Sequence, residues 1–237
     1  MRKLSKTSSQ IDGQPMFKLL DKIKKLESNG KDIIHFEIGD PDFDTPKNIS
    51  DATINALKNG QTHYVSSFGL AELRQKICES IEKSRGFKPE LEQVLVGPSD
   101  VIEKMQLLLE TTSSCVSPFI QKAGIEAIDG DQTFHKYMHS EYGKRRDLIV
   151  RELNSIEGVD CVMPGGAFYV FINIKKTNMT SEQFCDYILE DADVAILPGT
   201  SFGRFGEGYV RMCYAVKQER INDAIKRIRN SINKLKL

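Results

Sequence analysis

Arg211 lies in the run GYVRMCYA, residues 208–215, among apolar neighbours patterned like a strand. An exposed charge is not expected there by pattern alone, and a guanidinium is a planar fork of hydrogen-bond donors. The plainer alternative is an edge-strand arginine in solvent. Gly39 opens the turn-rich run GDPDFDTP, residues 39–46, where a residue without a Cβ lets a ligand approach the main chain. A simple turn glycine is compatible with that. Tyr64 follows His63 in a loop segment; its phenol can donate a hydrogen bond, although such tyrosines more often pack or lie at interfaces.

Other candidates are weaker. His135 and His139 have the i, i+4 spacing of half a metal site, but no third or fourth ligand is nearby, so a surface pair is the reading and no metal is expected. His35 and His63 stand alone. The hydroxyl run TTSSCVS, residues 111–117, could bind an anion or be an ordinary loop. Five scattered cysteines, Cys78, Cys115, Cys161, Cys185 and Cys213, form no CxxC motif. They read as inert thiols of a reducing cytoplasm. There is no P-loop and no dinucleotide-binding glycine fingerprint.

The elements that would position these residues follow from periodicity and punctuation. Apolar spacing predicts a helix over 15–26, stopped at Asn29-Gly30, then a short strand over 33–36. Thr45 and Pro46 read as N-cap and first residue of a helix with Ile49, Thr53, Ala56 and Leu57 inward. A further helix carries Leu73, Ile77 and Ile81, with Gly86 beyond its end. Residues 94–96 read as a strand, and Asp100 with Glu103 as a capping box before another helix. A helix begins near Pro118, and a charged amphipathic segment runs from 133 to 153. Strands are expected over 158–163, 167–174, 194–197 and 209–215. Thr180 and Gln183 cap an intervening helix, and a closing helix carries Ile221, Ala224, Ile225, Ile228, Ile232 and Leu235 on one face. The order β, β, α, β, β, α suggests a two-layer α/β domain. The middle of the chain has only one convincing strand, which leaves its helices without a sheet to cover.

The 237 residues suffice for one large domain or two modest ones. With 33 basic and 33 acidic residues there is no net field to draw nucleic acid or an anionic membrane. The longest apolar stretches are too short to cross a bilayer. The basic start, MRKLSKTSSQ, lacks the apolar region of a secretory signal.

Taken together and in order, several of these passages resemble the class I/II pyridoxal-phosphate-dependent aminotransferases of the aspartate aminotransferase type. They are GDPDFDTP at 39–46, THY at 62–64, GLAELR at 69–74, PGGAFY at 164–169, LPGTSFG at 197–203 and GYVRMCYA at 208–215. The segment VGPSDVIEKM at 96–105 resembles the family's stretch after its Schiff-base lysine, whereas the chain up to Val96 resembles the strand leading into the cofactor-phosphate loop. The pattern S-K-x-x-x-x-x-G-x-R occurs nowhere. The resemblance therefore implies an internal deletion, sized from the usual domain at roughly 130 to 150 residues.

That resemblance sets the expectations. The fold is α/β, a truncated fold-type I aminotransferase that keeps its small two-layer domain and lacks most of the large parallel sheet. Residues 1–45 form an N-terminal arm and part of the small domain, 46–130 a remnant of the cofactor domain, 131–157 a connecting helix, and 158–237 the small domain. The intact form would transfer an amino group from an L-amino acid to a 2-oxo acid using pyridoxal phosphate. By resemblance, Arg211 clamps the substrate α-carboxylate, Gly39 lies against it, and Tyr64 reaches the cofactor phosphate across a homodimer. No catalytic residue is assigned, because the cofactor needs a poised amine and a carboxylate tuning its ring. Cofactor binding is expected to be doubtful and activity reduced or lost; the alternatives are a noncatalytic binding or dimerisation protein, or a nonfunctional deletion product.

Overall fold

The computed structural model describes residues 15–66, 68–96 and 116–235. In chain order the helices are α1 (Pro15–Ser28), α2 (Lys47–Lys58), α3 (Ala71–Arg85), α4 (Pro118–Asp129), α5 (Thr133–Leu153), α6 (Ser181–Ala192) and α7 (Gln218–Asn233). The strands are β1 (Ile34–His35), β2 (Asp160–Cys161), β3 (Tyr169–Asn173), β4 (Val194–Ala195), β5 (Leu197–Pro198) and β6 (Tyr209–Cys213). The chain divides into two units, Met1–Asp42 with Met138–Leu237, and Phe43–Tyr137.

The first unit is built on an antiparallel sheet of order β2-β3-β6-β5. Alternation along β3 and β6 turns Val170, Ile172, Val210 and Met212 inward, all but fully buried. They join Ile149, Val150 and Leu153 of α5, Phe184 and Ile188 of α6, and Ile221, Ala224, Ile225, Ile228 and Ile232 of α7 in one core. Each such aliphatic side chain contributes about 1.5–3 kcal/mol when removed from water. Local signals agree with that packing. Thr180 accepts a hydrogen bond from the Gln183 backbone N–H, and the Gln183 side chain returns one to Thr180, a complete capping box for α6.

The expected strand over 194–197 is in fact two. β4 pairs in parallel with β1, and after Ile196 the chain pairs through β5 with β6, antiparallel. The sequence shows one apolar run because Val194, Ala195, Ile196 and Leu197 are all buried. Through β1 the N-terminal segment enters this core: Ile34 and Phe36 belong to it, and the Cys213 N–H donates to the Phe36 carbonyl at 2.9 Å. α1 packs alongside, with Ile23 buried against Leu189 and Ala195.

The second unit is helical among its described residues. α2 and α3 each pack on α4, while Ile54, Leu57 and Ile120 stay exposed. Gly124 of α4 lies beside Leu73 of α3, where a Cβ would meet the leucine methyls at 3.4 and 3.6 Å, an ordinary contact. Gln121, fully buried, accepts from the Leu70 N–H at 2.6 Å and donates to the Val116 carbonyl at 2.7 Å. Arg74 donates to the carbonyls of Val94, at 2.8 Å, and Leu91. Asn48 donates to Glu126 at 2.9 Å.

Three local expectations are corrected here. Residues 94–96 form no strand; the Val96 N–H instead donates to the Phe68 carbonyl. Thr45 is not the cap of α2: Pro46 holds that place with an extended ψ of 141° and no side-chain cap. Leu57 is 43% exposed, and Ala56 alone on that helix is buried. The Asp100–Glu103 capping box and its helix lie outside the described residues.

Candidate active site

Arg211 sits on β6 opposite Phe171 of β3 and Leu197 of β5, on the sheet face away from the helical core. Its guanidinium carbon lies 4.3 Å from the ring centre of Tyr169 and 4.3 Å from that of Phe202, so two aromatic rings bracket the cation. Nη2 donates to the Glu37 backbone carbonyl at 2.9 Å. Nε is buried and has no acceptor among the described residues. Burial lowers the Arg211 pKa from its ordinary value, with Tyr169 and Cys213 acting in the other direction; an arginine nonetheless stays charged. Nε and Nη2 lie along one edge of the guanidinium, and a buried Nε–H without an acceptor carries a cost that a carboxylate relieves.

Gly39 belongs to the same place. A Cβ added to it would collide with the hydroxyl and ring of Tyr169, the residue that stacks on Arg211. Only glycine lets the 37–39 segment pass this close to the aromatic ring. The following loop is tied down by Asp42, whose carboxylate accepts from Arg145 Nη1 of α5 at 2.6 Å, with Arg145 almost fully buried. Tyr142, one turn before Arg145, lies under its guanidinium at 5.3 Å, and burial pushes the Tyr142 hydroxyl pKa up.

The structure thus brings Gly39 and Arg211 together through Tyr169 and the Glu37 carbonyl. Tyr64 belongs to the second unit, in the loop between α2 and α3, and is 84% exposed. The run TTSSCVS falls mostly outside the described residues, Cys115 included. No lysine among residues 19–66, 68–96 and 116–235 is buried. His135 and His139 lie on α5, and no group of three metal-ligating side chains occurs among the described residues. Cys78, Cys161, Cys185 and Cys213 are buried and unpaired; burial pushes the Cys161 thiol up to about 11.

Sequence reasoning missed three participants. Tyr169 lies within PGGAFY and Phe202 within LPGTSFG, and neither motif assigns them a role. His35 was read as isolated; in the structure its Nδ1 lies 2.8 Å from Glu37 Oε1 and its Nε2 3.0 Å from Glu27 Oε1. The alternation His35-Phe36-Glu37, which puts both polar side chains on one side of a short strand, was the available signal.

Comparison with known proteins decides the family. The profile for aminotransferase class I and II matches residues 93–228, more than half of the chain. The chain belongs to the class I and II aminotransferases. It is 42% identical over 140 residues to an aspartate aminotransferase of Pyrococcus horikoshii, covering 58% of this chain and 36% of that protein. It is 33% identical over 180 residues to a probable N-acetyl-LL-diaminopimelate aminotransferase of Bacillus subtilis, covering 76% of this chain and 45% of that protein. The chain therefore spans about a third to under a half of the length of these curated relatives. Among solved structures, the aspartate aminotransferase of Rhizobium meliloti aligns with a TM-score of 0.89 at 19% identity, over 98% of this chain and 99% of that chain. At that identity the likeness speaks for the fold.

This alignment corrects the expectation of an internally deleted aminotransferase with a truncated large-domain sheet. The fold-type I architecture is matched almost from end to end in the structural comparison, although the aligned sequence is about a third of the first relative's length. The expectations built on truncation fall with it: activity reduced or lost, a noncatalytic or nonfunctional product, enzyme status left open, and doubtful cofactor binding. Family, transferase class and pyridoxal-phosphate dependence as a family trait stand. No helix among the described residues is long and apolar enough to cross a membrane.

Proposed function

We propose that this chain is a pyridoxal-phosphate-dependent aminotransferase that passes an amino group from an L-amino acid to a 2-oxo acid, with Arg211 and Gly39 receiving the substrate α-carboxylate. The observation carrying this reading is the Arg211 guanidinium, bracketed by Tyr169 and Phe202, anchored by one Nη2 hydrogen and presenting a buried Nε–H without an acceptor. Both partners of the reaction, amino acid and 2-oxo acid, carry the same carboxylate, so one fork serves both halves of the exchange.

The residues act by holding and orienting. Arg211 binds the carboxylate in a two-point contact, which fixes the plane of the group and the direction of the bonds at Cα. Gly39, lacking a Cβ, makes room for Tyr169 beside the cation, and Tyr169 and Phe202 restrict water around it, which strengthens its hold on an anion. Pyridoxal phosphate, when bound, supplies the electron sink for charge developing at Cα. The fit of this chain to that group is clearest at the substrate end. For the cofactor itself, the exposed Tyr64 phenol is the described side chain proposed to donate to the phosphate, in a homodimer from one copy to its partner. A reducing, cytoplasmic setting fits the four unpaired cysteines.

The test is amino transfer by the purified full chain with added pyridoxal phosphate, several L-amino acids and 2-oxoglutarate. Turnover specific for L-amino acids and above that of free cofactor is expected. No turnover above free cofactor with any pair contradicts the proposal.

A further inference from the structure

Glu37 is fully buried, yet its Oε2 has no hydrogen-bond partner among the described residues. Its Oε1 faces His35 Nδ1 at 2.8 Å, and the other ring nitrogen of His35 faces Glu27 Oε1 of α1 at 3.0 Å. Ionised carboxylate oxygens only accept, so with both glutamates ionised both imidazole nitrogens carry hydrogen. The ring between them is therefore an imidazolium, and its charge offsets part of the cost of burying Glu37. The His35 pKa is raised to about 9, chiefly by the Glu37 hydrogen bond and further by Glu27, against the opposing effect of burial.

The same Glu37 supplies through its backbone carbonyl the acceptor for Arg211 Nη2. One residue is thus gripped by its side chain from one direction and grips Arg211 with its main chain in another. Phe36 on the preceding position is locked by main-chain bonds to Ala195 and Cys213, so the strand has little freedom to shift along its axis. Rotation about that axis is what the side-chain tie opposes. Cys213 of β6 and Arg211 are also close to Glu37; the Cys213 thiol pKa is raised mainly by burial, with Glu37 and Asp40 contributing.

We propose that Glu27, His35 and Glu37 form a positioning chain for the carboxylate site. The chain runs from α1 through the imidazolium to the buried carboxylate and sets the Glu37 carbonyl that orients the Arg211 fork. None of the three touches substrate. The inference rests on the reading of Arg211 as the carboxylate ligand, so its test must separate the two.

The test uses the isotopically labelled full chain and 3-phenylpropanoate, a carboxylate without an amino group, whose binding needs no cofactor. Nuclear magnetic resonance follows the Arg211 Nε–H signal. In the wild-type chain a saturable shift is expected, lost in Arg211→Lys. In His35→Gln and Glu27→Gln, both at half-exposed positions, the Arg211 signal moves before ligand is added and affinity falls about tenfold, as for a misplaced hydrogen-bonding partner. Glu37→Gln gives the same shift where it folds. Thermal unfolding recorded alongside reports any purely structural effect. Wild-type affinity in folded His35→Gln and Glu27→Gln, with an unmoved Arg211 signal, overturns the positioning chain and leaves Arg211 as ligand. No saturable shift in the wild type overturns the carboxylate reading, and the inference falls with it.

Discussion

The two units are held by different means. In the first, large side chains such as Met212, Ile149, Ile188 and Tyr214 are almost wholly buried in one core that joins sheet and helices. In the second, few side chains are buried, and side-chain bonds to main-chain groups do much of the joining: Gln121 to Leu70 and Val116, and Arg74 to Leu91 and Val94. An apolar core is tolerant of detail but costly to hollow. A polar tie is a single point whose loss leaves buried donors and acceptors unmatched. The proposed carboxylate fork stands on the first kind of scaffold, which suits a site that must keep its geometry.

That contrast can be broken by substitution. Met212→Ala, at the centre of the first unit, should lower unfolding free energy by about 2–5 kcal/mol through the cavity it leaves. Urea titration checks this, and a loss below about 1 kcal/mol would show a core that relaxes freely. Gln121→Ala should cost the second unit about 1–3 kcal/mol, because the Leu70 N–H and the Val116 carbonyl lose their partner. Hydrogen exchange reads the effect locally: faster exchange at residues 68–74, with 169–173 and 209–213 unchanged, is expected. Uniform acceleration in both units would mean that they do not differ as described.

A smaller effect sharpens the picture inside the first unit. Thr180→Ala removes the α6 cap and should cost about 1 kcal/mol. Smaller still is a pH dependence from His35. Its folded-state pKa lies above its ordinary value, so its contribution is fully present below about pH 6.5 and is lost as pH rises through about 9. Stability measured from pH 6 to 10 should decline over that window, and His35→Gln should flatten the decline. An unchanged slope in that variant would assign the decline to other groups.

Much of the first unit was legible because its signals are local. The capping box at Thr180 and Gln183, the bounds of α5 and the isoleucine stripe of α7 each depend on residues within a few turns. What was not legible depends on distant partners. The split of 194–197 into two strands is imposed by Ile34 and His35 on one side, 160 positions away, and β6 on the other, 12 to 14 positions away. His35 is an exception, since Glu37 is two positions along the same strand and Glu27 eight positions back on α1, so its partners were within local reach. The bracketing of Arg211 by Phe202 arises where the chain returns through a short helical turn, with no periodic pattern to announce it. The larger misjudgement came from motif order: a junction read at 94–98 suggested a truncated fold, whereas the structural correspondence runs nearly end to end.

The central claim is that Arg211 recognises the carboxylate on the substrate's Cα. Calorimetric binding of L-phenylalanine and of 2-phenylethylamine, identical but for that group, tests it in the wild-type chain and in Arg211→Lys. The account predicts a preference for the amino acid on the order of 100-fold in the wild type, as for a desolvated charge pair, and most of it lost in the variant. Equal affinity for the two ligands in the wild type, or a preference that survives the substitution, would contradict it.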